Sequence, residues 1–128
     1  MNKENFLISQ TTKRKPKSLR FEQMKNTVLG EKYSLSVVFV GDKKIRALNR
    51  IYREKDYATD ILSFPISNDI GEIYLCENII SKKAKDFERT KENYLEFVFV
   101  HGLVHLLGFD HGEKMEKKEE TFRKLFKI

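Results

Sequence analysis

The sequence has a single cysteine, Cys76, among its 128 residues. An intrachain disulfide is therefore excluded, and a structural zinc site of the usual cysteine-rich kind would need other ligands. The surrounding segment, Ile73-Tyr-Leu-Cys-Glu, offers no second ligand in a recognisable pair. Such sparing use of cysteine is typical of a protein of the reducing cytoplasm.

Long apolar runs are also missing. No stretch approaches the ~20 apolar residues of a membrane-spanning helix, and the polar opening, residues 1–5, does not have the pattern of a signal peptide. We therefore expect a cytoplasmic protein without a membrane partner. A chain of 128 residues with 40% hydrophobic and 12% aromatic residues predicts one folded domain, residues 1–128.

Histidine is equally scarce, but its placing is informative. The only three histidines, His101, His105 and His111, lie within one eleven-residue stretch that follows the apolar run of residues 94–100. Residues four apart share a helix face, so the first two imidazoles would lie roughly 5 to 6 Å apart. Gly108 can then end the helix in a left-handed turn that returns His111 toward them.

Three imidazoles can bind one metal ion and leave a coordination position for water, which is the arrangement of catalytic rather than structural zinc sites. A lone histidine on an apolar helix is more often a hydrogen-bonded core residue. Three together are costly to bury unless each finds a partner, and one metal ion satisfies all of them. The pattern predicts a metal-dependent hydrolase.

The spacing is that of the metzincin zinc proteases, His-Glu-x-x-His-x-x-Gly-x-x-His, with one chemical difference. Gly102 stands where those proteases carry the glutamate that deprotonates the zinc-bound water. An ordinary metzincin mechanism is thus excluded, although the metal cage can remain.

The same stretch resembles the YbeY endoribonucleases of bacteria, whose motif reads His-Gly-x-Leu-His-Leu-x-Gly-Tyr-Asp-His. Only Val104, for leucine, and Phe109, for tyrosine, depart from it. A second block is similar to Leu-Asn-x-x-Tyr-Arg-Gly-Lys-Asp followed by Thr-Asn/Asp-Val-Leu-Ser-Phe-Pro. Here it runs from Leu48 to Pro65, with Glu54 for the glycine and Ala58 for a proline. A weaker third block begins at Gly71.

The resemblance implies a single-domain, zinc-containing ribonuclease that cuts single-stranded RNA in ribosomal RNA maturation and ribosome quality control. It implies ribosomal RNA and the ribosome or small-subunit assembly proteins as partners, with no DNA substrate. His101, His105 and His111 match the family's zinc ligands, and Arg53 matches an arginine essential for nuclease activity.

Chemistry gives Arg53 a role of its own. Phosphodiester cleavage builds negative charge on the phosphorus oxygens, and a guanidinium can hold two of them while staying protonated. Asp110 can orient an imidazole or cap the turn after the helix, and the sequence does not decide between these roles.

The charge pattern agrees with an RNA substrate. With 25 Lys and Arg against 19 Asp and Glu, the net charge is +6, which favours polyanions. Two clusters carry much of it. The first comprises Lys13, Arg14, Lys15, Lys17 and Arg20, and the second comprises Lys43, Lys44, Arg46, Arg50, Arg53 and Lys55. Because the second leads into the candidate site, it is a candidate RNA-tracking groove.

The periodicity predicts an α+β fold, with a mixed four-stranded sheet packed with several helices around a central metal-binding helix and a metzincin-like site. Expected strands cover residues 6–8, 33–40, 61–66 and 71–75, of which the third should be buried and closed by Pro65. Expected helices cover residues 19–29, 41–52, 79–87 and 114–126, together with a histidine helix that follows Thr90 and is apolar almost all round from residue 95 to 107. In the helix of residues 41–52, the inward side should carry Ile45, Leu48, Asn49 and Tyr52. Thr90 should cap the histidine helix, and Met115, Phe122, Leu125 and Phe126 should face inward.

Three functions remain open from the sequence. A metallo-endoribonuclease predicts chelator-sensitive cutting of unpaired RNA. A metalloprotease would need an unusual base in place of the missing glutamate. A ribosome-associated assembly factor with a structural metal predicts RNA binding without cleavage and a lower melting temperature after chelation.

Overall fold

A computed structural model describes residues 5–10 and 20–128. The strands in this part of the chain are β1 (Phe6–Gln10), β2 (Ser34–Val40), β3 (Ile61–Ser67) and β4 (Ile70–Cys76). The helices are α1 (Phe21–Leu29), α2 (Asp42–Arg53), α3 (Glu77–Asp86), α4 (Lys91–Leu106) and α5 (Glu113–Phe126). The predicted α+β class and the mixed four-stranded sheet are confirmed.

The sheet has the order β1-β2-β4-β3. Strand β2 pairs in parallel with both β1 and β4, whereas β3 is antiparallel to β4. The β3–β4 pair is a hairpin closed by a short turn. Because β4 also pairs with β2, β3 lies at the edge of the sheet. That edge position matters for the site, because one side of β3 is free of strand pairing.

Side chains alternate between two apolar layers. Leu35, Val37 and Phe39 of β2 face a large core shared with α1, α3, α4 and α5. The intervening Val38 and Val40 face a smaller core with Ile45 of α2. The sheet is thus covered on one face by α2 and on the other by the remaining helices, as the period of two along the strand requires.

Helix α4 is the central helix of the larger layer. Its N-cap is Thr90, whose hydroxyl accepts a hydrogen bond of 3.0 Å from the backbone N–H of Asn93, as predicted. Phe99 is fully buried and stacks on Phe21 of α1 with ring centroids 4.1 Å apart. Apolar residues lie on most sides of α4 because neighbouring elements surround it.

Three sequence-based expectations are wrong in detail. The buried strand expected to close at Pro65 is an edge strand that continues to Ser67, because a proline at the edge needs no ladder partner. Leu125, expected to face inward, is 61% exposed. Tyr52, expected on the inner side of its helix, is also exposed, at 60%.

Most of the first basic cluster, Lys13 to Lys17, and residue Leu19 of the expected first helix lie outside the described residues. Arg20 is described, and it forms an ion pair with Glu96 on α4 at 3.0 Å. No helix in the described ranges is both long and apolar enough to span a bilayer.

Candidate active site in the histidine cleft

A cleft of about 370 Å³ opens between edge strand β3 and helix α4. All four residues singled out from the sequence, Arg53, His101, His105 and His111, line it. Arg53 arrives from the end of α2, the first two histidines from α4, and His111 from the loop before α5. The fold therefore brings together residues that are up to 58 positions apart in the sequence.

The three imidazoles are neighbours. The ring centroid of His111 lies 5.3 Å from that of His101 and 5.8 Å from that of His105. His101 and His105 are half-buried, whereas His111 is exposed. Within residues 5–10 and 20–128, however, no three His, Cys, Asp or Glu side chains are arranged as a metal-binding group.

The return of the chain toward α4 follows from the turn at Gly108. Helix α4 ends at Leu106, and Gly108 has φ +115°, a value that favours a residue without Cβ. The Nδ1 atom of His105 lies 3.0 Å from the carbonyl oxygen of Phe109. A carbonyl can only accept, so Nδ1 carries the proton and the other ring nitrogen, Nε2, keeps its lone pair when the ring is neutral. Burial lowers the pKa of His105, which favours that neutral form.

His101 has a different partner, Glu119 of α5. The Nδ1 atom of His101 lies 3.0 Å from Oε1 of Glu119, whose side chain is 9% exposed. Arg123, one turn further on, approaches the same oxygen at 3.8 Å. Sequence reasoning missed Glu119. A signal exists, because a charged residue occupies the inward position between Met115 and Phe122, where an apolar residue is expected.

Asp110, the residue considered from the sequence for such a role, is exposed. It makes no side-chain hydrogen bond with any other residue that the structure describes. The orienting contacts to the two helical histidines come instead from Glu119 and the Phe109 carbonyl. Cys76 is fully buried on the α2 face of the sheet, away from the histidines, where burial raises its pKa to about 11.

Arg53 is fixed at the rim of the cleft by the edge strand. Its Nη2 donates to the carbonyl oxygen of Ser63 at 2.7 Å, and the guanidinium lies 4.7 Å from the ring centroid of Phe64. The carbonyl of Asp60 accepts from the N–H of Cys76 on β4. Since backbone groups alternate in direction along an antiparallel strand, the carbonyl of Ser63 points away from β4 and is free to receive Arg53.

The cleft also contains a carboxylate that sequence reasoning did not single out. Asp60 is 8% exposed. Its Oδ2 accepts hydrogen bonds from the hydroxyl of Tyr94 at 2.9 Å and from Nζ of Lys83 at 3.3 Å. Burial, with the charge of Asp60 as a second cause, raises the pKa of Tyr94. Asp60 therefore ties β3 to α3 and α4 beneath the cleft.

Gly102 lies on the side of α4 that packs against β3. A Cβ at this position would stand 2.7 Å from Cδ1 of Ile61 and 2.8 Å from Oγ of Ser63. The Ser63 hydroxyl donates to the Gly102 carbonyl at 3.3 Å. The edge strand thus occupies the space that a side chain would need at this position, where metzincins have glutamate. This gives a packing reason for the glycine.

Glu54, which stands at a glycine of the resembled pattern, has φ +58°. This is the left-handed region, which explains why glycine suits the position. The helix still ends there, so the turn survives the replacement.

Comparison with known proteins adds independent evidence. A family model described as endoribonuclease YbeY matches residues 2–127. An endoribonuclease YbeY of Ureaplasma urealyticum is 39% identical over an alignment of 110 residues, with 77% of this chain and 71% of that protein covered. One of Aquifex aeolicus is 35% identical over 119 residues, with 88% of this chain and 79% of the relative covered.

A solved structure has the same fold. The solution structure of a Thermotoga maritima protein superposes with a TM-score of 0.65 at 26% identity, covering 95% of this chain and 89% of that one. The likeness therefore extends over the strands and helices around the cleft as well as over the sequence blocks. On these matches, the chain belongs to the YbeY endoribonuclease family.

Proposed function

We propose that this protein is a metal-dependent endoribonuclease that cuts single-stranded RNA at the histidine cleft. The observation that carries the proposal is the convergence of three imidazoles and one guanidinium on one cleft. Imidazole is a preferred ligand of zinc, and guanidinium is a preferred partner of phosphate. Family membership supports RNA as the substrate.

In this proposal His101, His105 and His111 hold one metal ion, zinc by resemblance. The donor set fits, because the Nδ1 atoms of His101 and His105 are engaged by Glu119 and by the Phe109 carbonyl. Each ring is thereby oriented with Nε2 as its ligand atom, a common arrangement of zinc-binding histidines. A zinc ion bound there would supply a Lewis acid and a water molecule with a pKa near 7.

Arg53 binds the scissile phosphate. Its Nη2 is anchored on Ser63 and its plane rests over Phe64, so little side-chain freedom remains to be lost on binding. The remaining N–H groups can hold phosphate oxygens as negative charge develops on them. Asp60 is already engaged by Tyr94 and Lys83, so we do not assign it as the general base.

The family relationship also suggests a natural substrate and partners for the enzyme. We propose ribosomal RNA as the natural substrate, in its maturation and in ribosome quality control, with the ribosome or small-subunit assembly proteins as partners. The location that follows is the cytoplasm. A DNA substrate is not expected.

The test is cleavage of an end-labelled single-stranded RNA by the purified protein and by Arg53→Ala and His111→Ala variants, each checked for folding by circular dichroism. Arg53→Ala should lower the rate about 100-fold or more, as for loss of a donor to a developing oxyanion. His111→Ala should abolish cutting. A metal chelator should likewise stop cutting by the wild-type protein. Lys85→Ala is the control, because Lys85 is an exposed cation on α3 that does not line the cleft, and it should cut at nearly the wild-type rate.

Equal cutting by all four proteins would identify a contaminating nuclease and contradict the proposal. RNA binding without any cutting, combined with a lower melting temperature after chelation, would favour an assembly factor with a structural metal instead.

A further inference from the structure

Tyr57 is an exposed aromatic residue on the rim of the cleft. Its side chain is 53% exposed, and it lines both the histidine cleft and a neighbouring hollow of about 390 Å³. In the part of the chain that the structure describes, its ring stacks on no other aromatic ring and its hydroxyl has no hydrogen-bond partner. A large ring left open to water at the edge of a cleft is available to a ligand.

The backbone that presents Tyr57 is, in contrast, firmly held. The buried amide of Asn49 donates to the Tyr57 carbonyl at 3.0 Å, and the Asn49 carbonyl accepts from the N–H of Lys55 at 3.3 Å. Arg46 binds both carboxylate oxygens of Asp56, at 2.9 and 3.3 Å. Three successive residues are therefore tied to α2, and the ring of the third is presented by a fixed loop.

Charge differs between the two sides of this ring. On the cleft side lie Arg53 and Lys55, for which the described contacts include no acidic partner. Among the residues that the structure describes, the one acidic residue that lines the cleft, Asp60, is 8% exposed and pairs with Lys83. On the other side, Lys43 and Arg46 share the hollow with Asp42 and Asp56, so the charges balance. Phosphates should therefore follow the cleft side, and a group without charge should extend over the ring.

A nucleobase is such a group. It has a flat uncharged face, and it is attached to a phosphate chain that the basic side of the cleft attracts. Stacking of a base on an aromatic side chain is a common mode of single-stranded nucleic acid binding and tolerates any sequence.

We propose that Tyr57 is a stacking platform for an unpaired base next to the phosphate held by Arg53. This rests on the proposed ribonuclease function and deepens it, because a paired base cannot leave its helix to reach the ring without unpairing. Selectivity for single-stranded RNA would then arise in part from this residue.

The first test is equilibrium binding, measured by fluorescence anisotropy with a short labelled phosphorothioate oligouridine and with the same strand carrying abasic riboses. Tyr57→Ala should weaken binding of the base-bearing strand about tenfold, within the range known for one stacked base. It should leave binding of the abasic strand unchanged. Tyr57→Phe, which keeps the ring, should bind like the wild type, and circular dichroism should confirm that both variants are folded.

The second test uses the absence of tryptophan from the sequence. Tyr57→Trp creates a single reporter whose fluorescence should be quenched by the oligouridine and not by the abasic strand. Leu125→Trp is the control, because Leu125 is exposed on α5 and does not line the cleft, and its fluorescence should not change.

The outcomes separate the two proposals. Equal losses on both strands for Tyr57→Ala, no loss on either, or an unquenched Tyr57→Trp under saturating oligouridine would overturn the stacking platform while leaving the nuclease intact. A wild-type protein that neither binds nor cuts RNA would overturn both.

Discussion

At the scale of single residues, the site depends on which ring nitrogen each histidine commits to a neighbour. Glu119 reaches His101 from another helix, whereas the Phe109 carbonyl reaches His105 from the turn that follows it. Of the two, only Glu119 can be changed without altering the backbone, so it gives the cleaner test of orientation.

Glu119→Gln should weaken zinc binding by about 10- to 100-fold, the usual cost of losing a partner that orients a metal-binding histidine. The amide keeps the shape of the carboxylate but removes its charge, so the ring of His101 is held less firmly. Competition with a chromophoric zinc chelator measures the change without relying on activity.

Glu120→Gln is the control for Glu119→Gln, because Glu120 is exposed and pairs only with Lys124 among the described residues, at 3.2 Å. Equal zinc affinity for the two variants would show that Glu119 does not support the metal site.

The residues of this site differ in how far the sequence reveals them. The sequence predicts that the three histidines converge, because helical spacing and a glycine turn are local properties, and it singles out Arg53 through a matched block. It does not single out Glu119 or Tyr57, since their positions depend on how α5 docks on α4 and how a loop is tied to α2. Such long-range packing gives only weak signals in the sequence, such as an acidic residue at an inward helix position.

At the scale of secondary structure elements, α4 contributes both to the core and to the site, because its apolar sides fill the core while five of its residues, His101 and His105 among them, line the cleft. Its existence, its cap at Thr90 and its end near Gly108 followed from local signals. The expected burial of β3 holds only in its first half, where Leu62 and Ser63 are buried, because an apolar run has the same pattern in a central and in an edge strand. Only the pairing of β4 with β2 decides that β3 lies at the edge.

Leu106→Ala tests how much of the fold depends on the end of α4. Leu106 is 8% exposed, and its truncation should lower the free energy of unfolding by about 2 to 5 kcal/mol, through lost burial and the cavity left behind. Urea denaturation measures this loss. It is measured apart from activity, because an unfolded fraction of the protein would lower the cleavage rate as a catalytic defect does.

The adjacent Leu107→Ala is the matched control, because Leu107 is 40% exposed and should cost well under half as much. Similar losses for the two variants would mean that the end of α4 is not packed as described.

At the scale of the whole molecule, the net charge is +6, and the cations differ in whether they pair with acidic residues. On α5, Lys117 and Lys124 pair with acidic residues one turn away, so their charges are partly compensated. Lys43 and Arg50 on α2 and Lys55 beyond it are exposed and have no ion pair with any other described residue. Lys55 lines the cleft and Lys43 lines the neighbouring hollow, so this exposed charge lies on the α2 side of the cleft, which composition alone could not reveal.

Replacing Lys43, Arg50 and Lys55 together by glutamine should weaken RNA binding and flatten its salt dependence. Each phosphate contact with a single strand contributes about −0.7 to the slope of log K against log salt. The slope should therefore change by about 2 if all three residues contact phosphates. Titrations of a labelled oligouridine at several salt concentrations give this number directly.

A triple variant of Lys82, Lys85 and Lys114, which removes the same charge from exposed positions elsewhere, separates local contacts from net charge. If RNA follows the α2 side of the cleft, this variant should keep the wild-type slope. If both triple variants flatten the slope equally, binding responds to total charge, and the second basic cluster is a solvated face rather than a path for RNA.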